Sequence, residues 1–485
     1  MKRVRDQAIR GGAARIGAQM AQVLVRLGTL VILARFLNPS DFGLVGMVTA
    51  ITGVLSIFRD FGLSTAAIQR ASITDSQAST LFWVNLAFGA ALWVLTSACA
   101  PLLVEFYREP QLLSVTLVLA ASFPITAAGV QHGVRLQREM RFESLAAIDV
   151  VSLLASSAVG IALAISGLGY WALVGWSLAL VSCNTMGVWL LSAWVPQRPA
   201  RDADIGSLVR FGGKVTLNSA IVYIAYNLDK ILIGRVWGAT ALGTYGRAYQ
   251  LISLPTDNLI GAIGGVAFAG LSRVSHDQSL LRSYFLKGFK IILSVIVPIA
   301  AFFLVFAEEL VWILLGPKWN EVVPIFRLLI PTLLVLAIIN PPGWLLFALG
   351  MIGRSLKIAI VIAVLVITAV VIGLPHGPQG VALGLSTALM LWVVPHIFWS
   401  VKGTNVSPSD LFREMAMPLL AGAIATLVAI GLAWFLGEFL TPVWRALLGG
   451  AVLLATYLAV LLYPTRDRDF YMGLFSALHT HTRVG

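Results

Sequence analysis

The sequence is poor in charged residues. Asp, Glu, Lys and Arg make up 12% of its 485 residues, whereas soluble domains carry about 25%. Hydrophobic residues make up 58%. So few polar side chains cannot cover the surface of a soluble protein of this length, and the apolar surface must therefore face lipid. The composition excludes a soluble globular protein and predicts an all-α polytopic membrane protein.

The sequence also lacks the residues from which several kinds of active site are built. Its two cysteines, Cys99 and Cys183, both lie in apolar stretches, so the sequence does not suggest a disulfide framework or a cysteine-based metal site. It has no glycine-rich phosphate loop, Ser/His/Asp set or run of metal ligands, so we expect no cofactor. Membrane-bound glycosyltransferases, polymerases and ligases need catalytic groups on a substantial outer loop, but here the outer loops are short, such as 238–241 and 316–321. We therefore expect that the protein is not an enzyme.

The net charge of +12 is explained by where the basic residues lie. In a soluble protein such an excess would suggest nucleic acid as a partner. Here 24 of the 34 basic residues lie in the terminal segments and in loops on one side of the membrane, and five lie on the other side. Because cytoplasmic loops collect Lys and Arg, we predict that both termini are cytoplasmic and that nucleic acid is not a partner.

Fourteen stretches are long and apolar enough to cross the bilayer, which takes about 20 residues. The stretches cover residues 13–36, 43–62, 78–104, 111–131, 145–166, 169–194, 213–237, 243–266, 286–315, 322–349, 355–374, 378–400, 415–436 and 443–463. Between the eighth and ninth, residues 279–290 mix aromatic and leucine side chains with basic ones. That mixture predicts an amphipathic helix lying on the cytoplasmic leaflet.

One pattern occurs twice, 200 residues apart. Residues 33–48 align with residues 233–248, and the identical pairs are Arg35/Arg235, Gly43/Gly243 and Gly46/Gly246. Because six helices per copy is an even number, both copies enter the membrane in the same direction, related by a pseudo-two-fold axis along the membrane normal. We predict a six-helix bundle over residues 1–195, a cytoplasmic linker over 196–212, a second six-helix bundle over 213–401, two additional transmembrane helices over 402–463 and a cytoplasmic tail over 464–485.

Polar residues run along one face of the first predicted helix. They are spaced by three or four residues, which places them on one side of a helix: Arg15, Gln19, Gln22, Arg26 and Thr29. Arg26 lies near the middle of the span, where an ionisable group costs about 2.5–3.5 kcal/mol and usually faces a cavity or a partner. One interpretation is an arginine paired locally and buried for packing. The four other polar residues favour the second, a water-filled cavity lined by cations.

The seventh and eighth predicted helices carry further polar residues. The seventh contains Asn218, Tyr223, Asn227, Asp229 and Lys230, and the eighth contains Asp257. Asp229 and Lys230 are also explained as a structural ion pair near the outer surface, and that alternative stays open. Hydroxyl residues recur in the second and eighth helices, at 49, 52 and 56 and at 253 and 256. Such hydroxyls commonly bond their own backbone, so only their repetition favours a functional role.

Four segments carry a family resemblance: residues 32–48 (ILARFLNPSDFGLVGMV), 59–69 (RDFGLSTAAIQ), 227–251 (NLDKILIGRVWGATALGTYGRAYQL) and 314–329 (LLGPKWNEVVPIFRLL). They occur in order, span both predicted bundles and accompany fourteen predicted spans. On these segments the chain resembles the polysaccharide exporters of the multidrug/oligosaccharidyl-lipid/polysaccharide (MOP) flippase superfamily, and in particular the Wzx-type exporters of the colanic-acid class.

The resemblance implies a transporter of the bacterial inner membrane that flips lipid-linked glycans, such as undecaprenyl-pyrophosphate oligosaccharides, by alternating access. Arg15 and Arg26 would then offset the charge of the head group. Sugars would bond to Gln19, Gln22, Asn218, Tyr223 and Asn227, with Lys230 in the same cavity. Asp229 or Asp257 is the candidate for ion coupling. The implied partners are a polyprenyl-linked glycan, membrane lipids and the polysaccharide polymerase machinery.

Two other transport functions stay open. A cation-coupled exporter of the multidrug type would favour cationic substrates and would need a carboxylate where the first helix has arginines. A lipid II flippase is a closer alternative, which composition does not exclude.

Overall fold

The protein is described by a computed structural model over residues 2–58, 74–199, 206–256, 270–274, 276–436, 440–463 and 471–472, with residues 264 and 267. For residues 2–16, 18, 58, 206–222, 224–226 and 436 only the backbone is described. All regular elements in these ranges are helices, and the ranges contain no strand. The predicted all-α fold class is therefore confirmed.

The chain divides into two compact units, Met1–Gly246 and Arg247–Gly485. The boundary between these units does not coincide with the predicted linker over 196–212, which falls inside the first unit. The organisation into two six-helix bundles with two additional helices therefore stays a prediction about the repeat.

Eight helices begin in the described part of the first unit. They are α1 (Lys2–Phe36), α2 (Pro39–Phe58), α3 (Asp75–Tyr107), α4 (Leu112–Ala120), α5 (Ser122–Arg138), α6 (Phe142–Ile165), α7 (Trp171–Ser192) and α8 (Gly206–Pro255), whose last residues belong to the second unit. Helix α1 packs on α6, which packs on α7, while α5 lies against both α3 and α7.

Local sequence signals set the ends of these helices. Thr74 caps α3, because its hydroxyl accepts a hydrogen bond from the Gln77 N–H at 3.2 Å while the Gln77 side chain accepts one from the Thr74 N–H. Helix α8 consists of two helical parts that meet at Gly238. The φ of Gly238 is 81° and its ψ is −174°, a backbone conformation that is essentially confined to glycine. This glycine therefore turns the chain between the two parts of α8.

Within the described part of the second unit, the α-helices whose two ends are defined are α9 (Gln278–Val305), α10 (Ala307–Leu314), α11 (Val322–Ala348), α12 (Ile352–Gly373), α13 (Gly377–Val401), α14 (Pro408–Leu436) and α15 (Pro442–Leu462). Helix α9 packs against α11 and α14, α13 packs against α11 and α12, and α14 packs against α15. Arg282 near the start of α9 binds Asp410 near the start of α14 through both carboxylate oxygens, at 2.6 and 3.0 Å. This bidentate pair fixes one end of α9 against α14.

The predicted spans agree with the helices, with three differences. The predicted fourth span is two helices, α4 and α5, separated at Ala121. The predicted ninth span is also two helices, α9 and α10, separated at Phe306. The prediction of a separate surface helix over residues 279–290 is wrong. These residues are the first turns of α9, and their apolar side chains Leu281, Phe285 and Phe289 are buried in the second unit.

The helices have the composition of membrane spans. Eleven segments among the described residues are long and apolar enough to cross a bilayer, and one of them, Ile352–Val401, contains both α12 and α13. The chain is a multi-pass membrane protein.

Candidate functional site

The polar face predicted on the first helix lies on α1. The side chains of Gln19 and Arg26 are exposed, and that of Gln22 is half-buried. Among the described residues, Arg26 forms no hydrogen bond or ion pair, so the interpretation of a locally paired, buried arginine is not supported there. An unpaired guanidinium within a span is tolerated where water reaches it. This geometry favours a wet surface beside α1.

Thr29, at the far end of this polar face, has a different environment. It is 4% exposed, and its hydroxyl donates to the Val25 carbonyl at 2.7 Å and lies 2.7 Å from the Ser157 hydroxyl of α6. The polar face therefore ends at Thr29, where α1 packs against α6, and Gln19, Gln22 and Arg26 are the described residues of this face that are exposed or half-buried.

A second polar group lies on the first part of α8. Lys230 donates from Nζ to Oδ1 of Asn227 at 2.8 Å, and Asn227 donates from Nδ2 to the Tyr223 carbonyl at 2.9 Å. The Tyr223 side chain extends to α2, where a methyl group added at Gly53 would overlap the tyrosine hydroxyl. The Lys230 amine and the Asn227 amide thus form one hydrogen-bonded chain that ends on the Tyr223 backbone carbonyl, while the Tyr223 phenol lies beside α2.

Asp229 points away from this chain into the protein interior. It is 5% exposed, its Oδ2 accepts from the Tyr245 hydroxyl at 2.7 Å, and its Oδ1 accepts from the Lys230 N–H at 2.8 Å. Tyr245 lies on the second part of α8, beyond Gly238, and is completely buried. Each carboxylate oxygen therefore has a donor, and the bond joins the two parts of α8.

The two copies of the repeated pattern contact each other. A methyl group at Gly43 of α2 would overlap the backbone of Ala239, and one at Gly243 would overlap the backbone of Pro39. Position 43 of the first copy therefore meets 239 of the second, and 243 of the second meets 39 of the first. Such reciprocity is what a two-fold axis between equivalent segments produces. It agrees with the predicted pseudo-two-fold repeat.

The repeated hydroxyls of the second and eighth predicted spans bond their own helices. Thr52 donates to the Val48 carbonyl at 2.9 Å, and Ser56 donates to the Gly53 carbonyl at 2.7 Å. Thr256 donates to the Ile252 carbonyl at 3.2 Å. These hydroxyls satisfy backbone carbonyls, so their repetition alone does not identify a binding surface.

Three predicted site residues lie outside the description. Asp257 is not among the described residues, and the side chains of Arg15 and Asn218 belong to segments of which only the backbone is described. Their place in the site stays a prediction.

Sequence reasoning missed two residues that hold the site. Ser157 supports α1, and Tyr245 binds Asp229. The repeated pattern contains Tyr245, but nothing in the spacing indicates a bond to a carboxylate sixteen residues earlier. That bond depends on the turn at Gly238, which brings the two parts of α8 together.

Comparisons with known proteins agree with the resemblance found in the sequence. The chain is 26% identical over 396 residues to the lipopolysaccharide biosynthesis protein WzxC of Escherichia coli (strain K12), covering 80% of this chain and 79% of WzxC. It is 27% identical over 344 residues to the teichuronic acid biosynthesis protein TuaB of Bacillus subtilis (strain 168), covering 68% of this chain and 69% of TuaB.

The fold is similar to a solved transporter structure. The lipid II flippase MurJ, in an inward closed conformation, superposes with a TM-score of 0.75 at 14% identity, covering 94% of this chain and 99% of MurJ. The model of the family described as "Polysaccharide biosynthesis protein" matches residues 32–324. The chain belongs to this polysaccharide biosynthesis protein family.

Proposed function

We propose that the protein flips a polyprenyl-pyrophosphate-linked oligosaccharide, the repeat unit of a surface polysaccharide, across the bacterial cytoplasmic membrane. The lipid tail stays in the bilayer throughout, whereas the sugars and the phosphates must cross a hydrocarbon barrier. A polar surface inside the membrane lowers that barrier, and alternating access exposes it to one side and then the other.

The proposal depends most on one observation, the exposure of the Arg26 side chain within a predicted span. An exposed guanidinium, unpaired among the described residues, would cost about 2.5–3.5 kcal/mol if it faced hydrocarbon. It is accommodated if it faces water and a phosphate during transport, since guanidinium and phosphate form strong charge-assisted hydrogen bonds. The neighbouring Gln19 and Gln22 supply amides that donate to and accept from sugar hydroxyls.

The polar residues on the first part of α8 offer further groups that bond to sugar hydroxyls and phosphates. Asn227 and Lys230 present an amide and an amine in one hydrogen-bonded chain, and Tyr223 adds a phenol on the same helix. Such groups suit hydroxyls and phosphate oxygens. Arg15 and Asn218 belong to this proposed surface by their position in the sequence. The excess of cationic groups disfavours a cationic drug as substrate.

The energy source in this proposal is an ion gradient coupled through a carboxylate. Asp229 is the candidate among the described residues and Asp257 the candidate beyond them. A buried carboxylate that gains and loses a cation would change the bond to Tyr245, and with it the geometry of the two parts of α8.

The distribution of basic residues supports an orientation with both termini in the cytoplasm. The relatives are named for lipopolysaccharide and teichuronic acid biosynthesis, and this supports a place in polysaccharide assembly next to the polymerase machinery. In this role the protein acts as a transporter and not as an enzyme.

Deletion of the gene tests the function in cells. We expect loss of the surface polysaccharide and accumulation of its lipid-linked repeat unit in the inner membrane, both restored by the full-length chain. Normal polysaccharide combined with increased sensitivity to cationic drugs would contradict the proposal and favour a multidrug exporter. Arrest of peptidoglycan synthesis would favour lipid II as the substrate.

A further inference from the structure

A polar cavity lies within the second unit. Its volume is about 450 Å³, within the range of roughly 300–1,000 Å³ that is typical of small-molecule sites. Its walls come from α10, from the start of α11 with the residues before it, and from the start of α15. The polar and aromatic residues in these walls are Glu308, Glu309, Trp312, Asn320, Arg327 and Arg445.

The charges in this cavity are balanced. Nη1 of Arg327 lies 3.2 Å from Oε1 of Glu308, and Nη1 of Arg445 lies 3.5 Å from Oε1 of Glu309. With two guanidinium groups and two carboxylates, the net charge is zero. A singly charged anion or cation would therefore find as much repulsion as attraction. A neutral ligand avoids this penalty.

The hydrogen-bonding groups are far from saturated by the two ion pairs. A guanidinium carries five N–H donors, a carboxylate accepts at about four positions, and the Asn320 amide does both. A ligand that uses these groups needs several donors and acceptors close together on a neutral framework. Hydroxyl groups on a sugar ring have this property, because each hydroxyl both donates and accepts.

The indole of Trp312 favours a ligand that contains a sugar ring. Its side chain is 39% exposed and lies in the wall of the cavity, on the same helix as the two glutamates. An indole offers a large flat apolar face, against which the C–H face of a sugar ring packs.

We propose that this cavity binds a neutral saccharide. The distribution of basic residues predicts that the start of α11 and the start of α15 face outward, so the cavity would hold sugars of the glycan on the outer side. The assignment of this sugar to the transported glycan rests on the proposed function, whereas the binding of a saccharide in the cavity does not. A zwitterionic lipid head group also has balanced charges, and the test below includes one.

The test is saturation-transfer NMR on the full-length protein in detergent micelles, with a panel of neutral disaccharides built from glucose, galactose and mannose. We expect transfer to at least one disaccharide, and a signal at least fivefold weaker in Trp312→Ala. Glu308→Gln, at an exposed side chain that tolerates substitution, should also weaken it about tenfold, the effect of losing one charged hydrogen bond. Trp444→Ala is the matched control, since Trp444 is 56% exposed and lies beside Arg445 outside the cavity.

Three results would overturn the proposal: no transfer to any disaccharide of the panel, transfer that both Trp312→Ala and Glu308→Gln leave unchanged, or a stronger Trp312-dependent signal from glycerophosphoethanolamine. Because the free disaccharides bind without being transported, these results are distinct from a failure of flipping. A protein that flips lipid-linked glycan but binds no disaccharide would refute only the cavity assignment.

Discussion

The hydroxyl of Tyr245 donates a 2.7 Å hydrogen bond to Oδ2 of Asp229, and this bond joins two helical parts that meet at Gly238. Tyr245 is completely buried and Asp229 is 5% exposed. A buried carboxylate is costly unless it is hydrogen-bonded. The bond therefore offsets the cost of burying Asp229 and holds the two parts of α8 in one arrangement.

Tyr245→Phe should destabilise the protein by about 1–3 kcal/mol, the cost of leaving a buried acceptor without its donor. The substitution keeps the ring and removes only the hydroxyl. Thermal unfolding of the purified protein in detergent measures the loss. Tyr284→Phe is the matched control, because Tyr284 is 55% exposed, and it should leave the unfolding temperature unchanged. Equal unfolding temperatures for Tyr245→Phe and the native chain would contradict the role assigned to this bond.

Gly43→Ala should impair folding and export, because its new methyl group would overlap the backbone of Ala239. Overpacking of this kind typically costs about 1–3 kcal/mol. Gly246→Ala is the control from the same repeated pattern, since a methyl group there meets no atom within 4 Å among the described residues. Helix propensity predicts that this alanine is neutral or stabilising by up to about 1 kcal/mol. The yield of folded protein and the surface polysaccharide together measure both effects. Equal behaviour of the two variants would refute the close contact.

Asp229→Asn should uncouple flipping from its ion gradient. Asparagine keeps an oxygen that accepts from Tyr245 but has no negative charge with which to bind a cation. Flipping in vesicles, measured after a pH or sodium jump, reports the coupling. Asp149→Asn serves as the control, because Asp149 of α6 accepts from Asn184 at 3.0 Å and lies near the predicted start of its span. An unchanged ion dependence in Asp229→Asn would leave Asp229 with a structural role alone.

Much of the fold follows from hydropathy. Each of the fourteen predicted stretches contains a helix within its described part, because apolar segments of this length have few other ways to satisfy their backbone in a membrane. Hydropathy does not locate breaks inside an apolar stretch, so it does not predict the helix breaks at Ala121 and Phe306. Hydropathy also does not distinguish a separate surface helix from the first turns of a long helix. The burial of Phe285 and Phe289 shows that residues 279–290 are the first turns of α9.

The candidate site was predicted in part. Helical spacing places Gln22 and Arg26 on one polar face. Tyr223, Asn227 and Lys230 are close in the sequence, which suggests that they lie together. Tyr245 and Ser157 were not identified, since each meets its partner through tertiary packing, across 16 and 128 residues. The contact of Gly43 with Ala239 lies within the repeated pattern, but only the structure shows that the two copies meet there.

The central claim is tested most directly by flipping of a defined polyprenyl-pyrophosphate-linked oligosaccharide in proteoliposomes that contain the full-length chain. The native protein should move the glycan head group across the bilayer. Arg26→Ala should slow it at least tenfold, since a charge-assisted hydrogen bond contributes about 1.5–3 kcal/mol and about 1.4 kcal/mol is a factor of ten. Arg413→Ala, which removes an exposed arginine at the start of α14, should flip at the native rate. Flipping by Arg26→Ala at the native rate, or no flipping by the native protein above that of empty vesicles, would contradict the account.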